Sequence, residues 1–538
     1  MTPGTTANQP IDYAATLSAG AKRLILAAVL IALFLTSLDQ TIVAAALPAI
    51  VADLGNLDLL AWTSTSYLLV SATTLPIFGK LSDLHGRKAV LLFGTGIFLV
   101  GSMLCGLAPT MLLLVIFRGV QGLGSGALLA MAMTVPADLY APAERARVQG
   151  LIAAVFALSS IVGPFLGGAL TDTVGWHWIF YINLPLGLPV LFFIVVYMPA
   201  FGGGLQRRLD LLGAGLLILT VVPTLVAFSL DRERYPWDEP LVLGLLAMAA
   251  IGLVMFVLAE QRAGEPILPL SLFAVPTFSL MCAISVLTGG GFITAVLFLP
   301  IFLVNVLDTT ATEAGLALMP VTLGLLIASV ISGDLVQRTG RYKGALILGL
   351  VLFWVGFWCL STLTVRTTLS QIWLWMAILG LGAGAVFPQL NLAIQNAVRF
   401  EYVGVATSGR LFFSQLGQTA ASAVFGALLT ALLTGALGSS LAPITARLPT
   451  QLAGYLDPQK LRDGGSRATT EFAALEAQMS RPDASLGREI RNAFKQSFAT
   501  SIASLYGYGL PFLGLAIVLG FAVPELPLKR SNLQTDVE

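Results

Sequence analysis

Fourteen stretches of about 20 predominantly apolar residues succeed one another along this chain, near 24–50, 61–82, 89–107, 111–138, 148–170, 179–198, 211–229, 241–260, 277–305, 314–335, 344–364, 371–398, 402–436 and 500–523. Each is long enough to cross a hydrocarbon core about 30 Å thick. Lipid offers the backbone no hydrogen-bond partners, so each stretch is expected to satisfy its own amides and carbonyls as an α-helix. Hydrophobic residues make up 57% of the sequence and charged residues 11%, against roughly a quarter charged in soluble domains. The expectation is an all-α polytopic membrane protein with 14 transmembrane helices.

An even number of spans returns both ends to one side. Lys80, Arg87, Lys88, Arg145, Arg147, Arg338, Arg341, Lys343 and Arg399 all fall in one set of connections, whereas the short loops of the other set offer only Arg232, Arg234 and Arg366. The positive-inside rule therefore places both termini in the cytoplasm. The stretch before Ala21 lacks the basic, apolar, small-residue order of a cleaved leader.

Several function classes drop out. A net charge of +1 gives no case for a nucleic-acid partner, which needs a clustered basic surface. Cys105, Cys282 and Cys359 lie in apolar stretches, His85 and His177 in short connections, and none has metal-ligand spacing; no metal and no cofactor is expected. There is no GxxxxGK[ST] and no HExxH, so an enzyme is disfavoured and an ion gradient is the expected energy source.

Two charges stand where hydrocarbon tolerates few. Asp39 lies inside the first span and Arg118 inside the fourth, flanked by Gln40 and Gln121. A charge at such depth costs on the order of 3 kcal/mol on insertion scales and is kept for a use such as a proton relay. At 1.5 Å per residue, Asp39 is ~22 Å from the inner end of its span and Arg118 ~11 Å from the outer end of its own, so both reach a similar depth. An arginine that approaches or withdraws alters how readily a carboxyl takes a proton. A static buried ion pair is the alternative.

The chain repeats itself. Gly79-Lys80-Leu81 with Gly86-Arg87 after the second span returns as Gly333-Asp334-Leu335 with Gly340-Arg341 after the tenth. Gly122-Leu123-Gly124-Ser125-Gly126-Ala127 returns as Gly380-Leu381-Gly382-Ala383-Gly384-Ala385, and Glu144 as Glu401, at offsets of about 254 to 258 residues. This divides the chain into a tail (1–23), a six-helix bundle (24–200), two inserted helices (201–262), a second six-helix bundle (263–523) with an extracytoplasmic insertion (437–499), and a second tail (524–538). Helical patterns are expected in the insertion near Ala468–Met479 and Leu486–Ser497.

A parallel repeat of six helices is the internal symmetry of the major facilitator fold, with the site at the midplane between halves. Gly79-Lys80-Leu81-Ser82-Asp83-Leu84-His85-Gly86-Arg87-Lys88 resembles the signature loop of the major facilitator superfamily. Leu38-Asp39-Gln40-Thr41-Ile42-Val43, Gly163-Pro164-Phe165-Leu166-Gly167-Gly168 and Trp176-His177-Trp178-Ile179-Phe180-Tyr181-Ile182-Asn183-Leu184-Pro185 resemble motifs of its fourteen-helix drug:proton antiporter family. The resemblance implies a proton-coupled multidrug exporter of a bacterial cell membrane that works by alternating access, with small lipophilic substrates, protons and the lipid bilayer as its partners; the oligomeric state is left open, a monomer being one reading. Export of an endogenous lipid is the runner-up, and a non-transporting receptor the different class.

The resemblance also distributes roles. Asp39 would carry the proton and Arg118 tune it. Gly79, Asp83, Gly86, Arg87 and Asp138 would form a conformational latch, and Gly163, Pro164, Gly167 and Gly168 a hinge. Gln40, Gln121, Phe292, Phe387, Gln389, Asn391, Gln395 and Arg410 are weaker candidates for a substrate cavity; Arg410 stands one turn before the position where the family often has arginine. No Asp or Glu lies in the interior of the spans of the second half; Asp334 stands at the cytoplasmic end of the tenth. Neutral or singly charged cargo is therefore expected over dications, since an unpaired buried charge costs several kcal/mol.

Overall fold

The computed structural model describes residues 16–56, 59–199, 209–230, 234–445 and 484–529. Its long helices are α1 (Ala19–Leu54), α2 (Leu60–His85), α3 (Arg87–Gly106), α4 (Met111–Leu139), α5 (Pro142–Thr173), α6 (Asn183–Tyr197), α7 (Leu211–Ser229), α8 (Pro240–Glu260), α9 (Pro276–Val306), α10 (Met319–Thr339), α11 (Lys343–Ser361), α12 (Leu369–Ala397), α13 (Val403–Thr445) and α14 (Ala484–Ala522). Thirteen described helical stretches are long and apolar enough to cross a membrane. The remaining expected span, α2, is as long as the others but diluted by Thr63, Ser64, Thr65, Ser66, Ser71, Thr73 and Thr74; its hydroxyls bond carbonyls one turn back, as Thr73 does to Leu69 and Thr74 to Val70. That internal satisfaction is what lets a hydroxyl-rich helix sit among apolar neighbours.

The two halves use the same helix pairings. α1 packs on α5 and α6, α2 on α4, and α3 on α4 and α6; in the second half α9 packs on α13 and α14, α10 on α12, and α11 on α12 and α14. The repeat reaches down to single contacts. Gly122, Gly124 and Gly126 of α4 lie against the backbones of Tyr67, Phe98 and Ser71, and Gly380, Gly382 and Gly384 of α12 lie against Val321, Phe353 and Leu325. A Cβ at any of these would collide with main chain, so glycine lets two helices meet backbone to backbone. α7 and α8 pack mainly on each other, and α7 also touches α2 and α13.

The halves meet through two symmetry-related pairs, α5 with α10 and α2 with α13. Both contacts are near the end of the bundle that carries the basic connections. Gly333 abuts Ala146, Gly150 abuts Val330, and Gly79 abuts Ser408. Cross-half hydrogen bonds lie there too, among them Val405 N to Asp83 Oδ2 (2.9 Å), Lys80 Nζ to Glu265 Oε2 (2.8 Å), Asn391 Nδ2 to Gln149 Oε1 (3.4 Å) and Gln395 Nε2 to Met133 O (3.1 Å). The basic end of the bundle is closed.

The expected insertion is partly helix. α13 runs past 436 to Thr445 and α14 begins at Ala484, so the segments 437–445 and 484–499 continue two spans beyond their apolar windows. Leu441, Ile444, Ile490, Phe494 and Phe498 are buried in one cluster, and Ser497 donates to Ser440 Oγ at 3.2 Å. Hydropathy falls at the edge of hydrocarbon, but an apolar stripe at helical spacing continues and keeps the helices together. The pattern near Ala468–Met479 lies outside the described residues.

Candidate functional site

Asp39 is fully buried and Arg118 is 1% exposed. The two are ion-paired through Asp39 Oδ2 and Arg118 Nη1, so the helix-length estimate of equal depth corresponds to contact. The other carboxylate oxygen, Oδ1, accepts from Gln121 Nε2 (2.8 Å) and Asn183 Nδ2 (3.2 Å). Arg118 also donates through Nη1 to Gln121 Oε1 (2.8 Å) and through Nε to Thr63 O (3.1 Å), and its guanidinium lies 4.2 Å from the centroid of the Tyr67 ring. Tyr67 in turn donates to Ser125 Oγ (2.7 Å), and Asn183 to Ser102 Oγ (2.9 Å). Five elements supply this cluster: α1, α2, α3, α4 and the start of α6. A buried charge pair needs partners for its remaining donors and acceptors, and here neutral groups meet Asp39 Oδ1 and Arg118 Nε and share Nη1.

The second charged cluster closes the basic end. Gly86, with φ +89°, ends α2 and starts α3 in a conformation that favours glycine. The tight turn sets Arg87 one helical turn from Asp83, with which it is ion-paired, while Arg87 Nε donates to Asp138 Oδ2 at 3.0 Å and Nη1 to Ser82 Oγ at 2.6 Å. All three charged residues are buried or nearly so. Asp83 Oδ2 then accepts Val405 N in the first turn of α13, where the exposed amides carry partial positive charge. Gly404 and Gly79 make this approach possible, since a Cβ at either would strike Asp83 or Ser408. The five latch residues are thus brought together, and the cluster spans the two halves.

Comparison with known sequences gives the frame a family. The profile described as Major Facilitator Superfamily matches residues 29–422. The chain belongs to the Major Facilitator Superfamily. It is 37% identical over 528 residues to "Multidrug transporter protein MdtP" of Bacillus subtilis (strain 168), covering 96% of this chain and 95% of that protein. It is 36% identical over 449 residues to "Multidrug resistance protein 3" of the same organism, covering 83% and 87%. In three dimensions it is similar to the proton:xylose symporter XylE, with a TM-score of 0.59 at 13% identity over 96% of this chain and 98% of that one; that likeness concerns the fold alone. This major facilitator protein is a multi-pass transporter and not an enzyme.

In this major facilitator chain the hinge residues separate into two groups. Gly163 and Gly167 face α1, where a Cβ would meet Thr41 and Ile42. Pro164 denies the carbonyl of Ser160 its usual amide partner, and one residue earlier Ser159 O accepts the Thr41 hydroxyl at 3.0 Å. Gly168 has nothing within 4 Å of where its Cβ would be, which removes it from the packing part of the expected hinge.

The expected cavity residues are placed differently from one another. Gln40 is exposed beside fully buried Asp39. Phe292 and Phe387 are half-buried and form an edge-to-face pair with centroids 5.6 Å apart. Gln121 belongs to the ion cluster instead. Gln389 is buried and donates to Ser332 Oγ (3.3 Å), while Asn391 and Gln395 join the seam between halves. Closure of the basic end turns these three amides from the expected cavity wall into contacts between helices. Arg410 is 4% exposed, in the α9–α13 interface.

Sequence reasoning assigned no role to Asn183, Tyr67 or Thr63. Neutral polar residues are common in helices, and what marks these three is the charge they touch. The available signal for Asn183 was its place in the Trp176–Pro185 motif.

Proposed function

We propose that the protein exports lipophilic compounds, neutral or singly charged, in exchange for protons, with the basic end of the bundle in the cytoplasm and Asp39 as the proton carrier. The observation that carries this reading is the Asp39–Arg118 pair, buried inside the helix bundle within two apolar spans and surrounded by neutral donors. A purely structural contact there could be apolar at less desolvation cost. Protonation of Asp39 removes the negative partner of Arg118, so the guanidinium must turn to other acceptors and α1 must move relative to α4. Motion of α1 passes to α5 through Thr41, Gly163 and Gly167, and α5 is one of the two helices that close the basic end from the first half. Proton binding and gate opening are thereby linked through helices in direct contact.

With the basic end inside, the described conformation has its cytoplasmic side closed. The printed names of the Bacillus relatives, a multidrug transporter and a multidrug resistance protein, support drug-like cargo. The test is efflux of a lipophilic dye from inverted vesicles under an imposed pH gradient. Gradient-dependent dye movement is expected, and dye movement indifferent to the gradient overturns the coupling.

A further inference from the structure

Two buried guanidiniums described above, Arg118 and Arg87, are each neutralised by carboxylates. Arg410 is not. It is 4% exposed, its Nη1 donates to Ser285 Oγ at 3.4 Å, and its Nε has no partner. Among the described residues no carboxylate forms an ion pair with it. A buried cation supported by one long bond to a neutral hydroxyl is an expensive arrangement. The planar guanidinium fork suits carboxylate, phosphate and sulfonate groups.

Its position gives this guanidinium a use. Arg410 lies two turns into α13, just above the stretch where Val405 meets Asp83 and Ser408 meets Gly79. Its side chain faces Ser285 of α9, on the side of α13 away from the Val405 and Ser408 contacts with α2. Along α13 toward the opposite end, Ser414 and Gln418 repeat at one-turn spacing on the same face and are half-buried. Ser414 and Gln418 lie beside Gly289 of α9, so an anionic group reaching the α9–α13 seam would meet Arg410 with a polar stripe beyond it.

We infer that Arg410 is a recognition site for an anionic headgroup, a carboxylate, phosphate or sulfonate carried on an apolar body. The headgroup comes either from the cargo itself or from a bilayer phospholipid. Both present the same oxyanion to the same fork. This deepens the exporter reading, on which it rests for what the site is for, while the test reads binding at Arg410 without a pH gradient.

The experiment measures binding of a dansylated long-chain carboxylate and of its uncharged methyl ester to purified protein in nanodiscs, at a pH where the carboxylate is ionised. Wild type is expected to bind the carboxylate at least tenfold more tightly than the ester in phosphatidylcholine discs. Arg410→Gln should erase that preference with ester affinity changed less than twofold, and Arg410→Lys should keep part of it. If the headgroup is lipid-borne, the preference is weak in phosphatidylcholine discs. Added phosphatidylglycerol should then raise the thermal stability of wild type and leave Arg410→Gln unmoved. Equal loss of carboxylate and ester binding, or no difference between wild type and Arg410→Gln in either lipid, overturns the assignment. Folding is read separately from thermal stability in phosphatidylcholine, where Arg410→Met should be at least as stable as wild type because it removes an uncompensated charge.

Discussion

The two halves of this transporter share a frame and differ in what fills it. Gly101 rests on Gln121 in the first half, and Gly356 rests on Leu379 at the corresponding place in the second. Three residues before these, α4 carries Arg118 and α12 carries Met376. Tyr67, whose backbone supports Gly122, has Val321 as its counterpart beneath Gly380. The ionic cluster around Asp39 is thus replaced by apolar packing, in which Met376 and Leu379 are fully buried. The latch shows the same contrast: Arg87 and Asp83 are ion-paired and buried, whereas Arg341 and Gln337 at the repeat-related positions are exposed and lack the acid. The second half shows that the fold does not need the charges. Their presence in the first half therefore calls for a functional explanation, and proton coupling supplies one.

The contrast can be broken from its charged side. Arg118→Met gives the first half the residue of the second and leaves Asp39 without its counter-ion; removing one member of a buried pair costs about 3–5 kcal/mol, so thermal unfolding in detergent should show a large loss. Adding Asp39→Ala should restore most of that stability while gradient-driven export stays absent. A double variant as unstable as the single one would mean that the pair is needed for folding.

A smaller effect is expected at the latch. Arg87→Ala should slow turnover by roughly tenfold, equivalent to ~1.4 kcal/mol of barrier, and change cargo affinity less than twofold, because the cluster lies at the gate. Arg341→Ala, at its exposed repeat-related position, should leave rate and stability within error. A change in affinity alone for Arg87→Ala would show that this cluster acts on the binding site.

The smallest effects separate the hinge glycines. Gly163→Ala places a methyl group against Thr41 and Ile42 and should lower the transport rate. Gly168→Ala meets open space, and alanine is favoured over glycine within a helix by about 0.5–1 kcal/mol, so it should be neutral or slightly stabilising. Equal loss of transport in both would remove the packing account of the hinge.

How much of this was legible in the sequence depended on how strongly each residue violates its surroundings. Asp39 and Arg118 were visible because charge in hydrocarbon is costly, and equal rise along two helices brought them to one depth. The Gly122 and Gly380 repeats marked the symmetry before any contact was known. Asn183, Tyr67 and Thr63 break no rule of composition, so their role emerged only with their neighbours. In sequence the amides Gln389, Asn391 and Gln395 suit a cavity wall and contacts between helices equally, because sequence does not say which conformation closes over them. α13 and α14 were cut short because an apolar window ends at the lipid boundary, while packing between Leu441, Ile444, Ile490 and Phe494 extends beyond it.

The central claim is that the carboxyl of Asp39 carries the proton that exchanges for cargo. Its most direct test is cargo-driven proton movement in proteoliposomes loaded with a pH-sensitive dye. A gradient of lipophilic cargo should move protons the opposite way in wild type. In Asp39→Asn, which keeps the shape of the side chain and cannot be charged, the account predicts no proton movement while the purified variant still binds cargo. Proton movement at the wild-type rate in Asp39→Asn would contradict it.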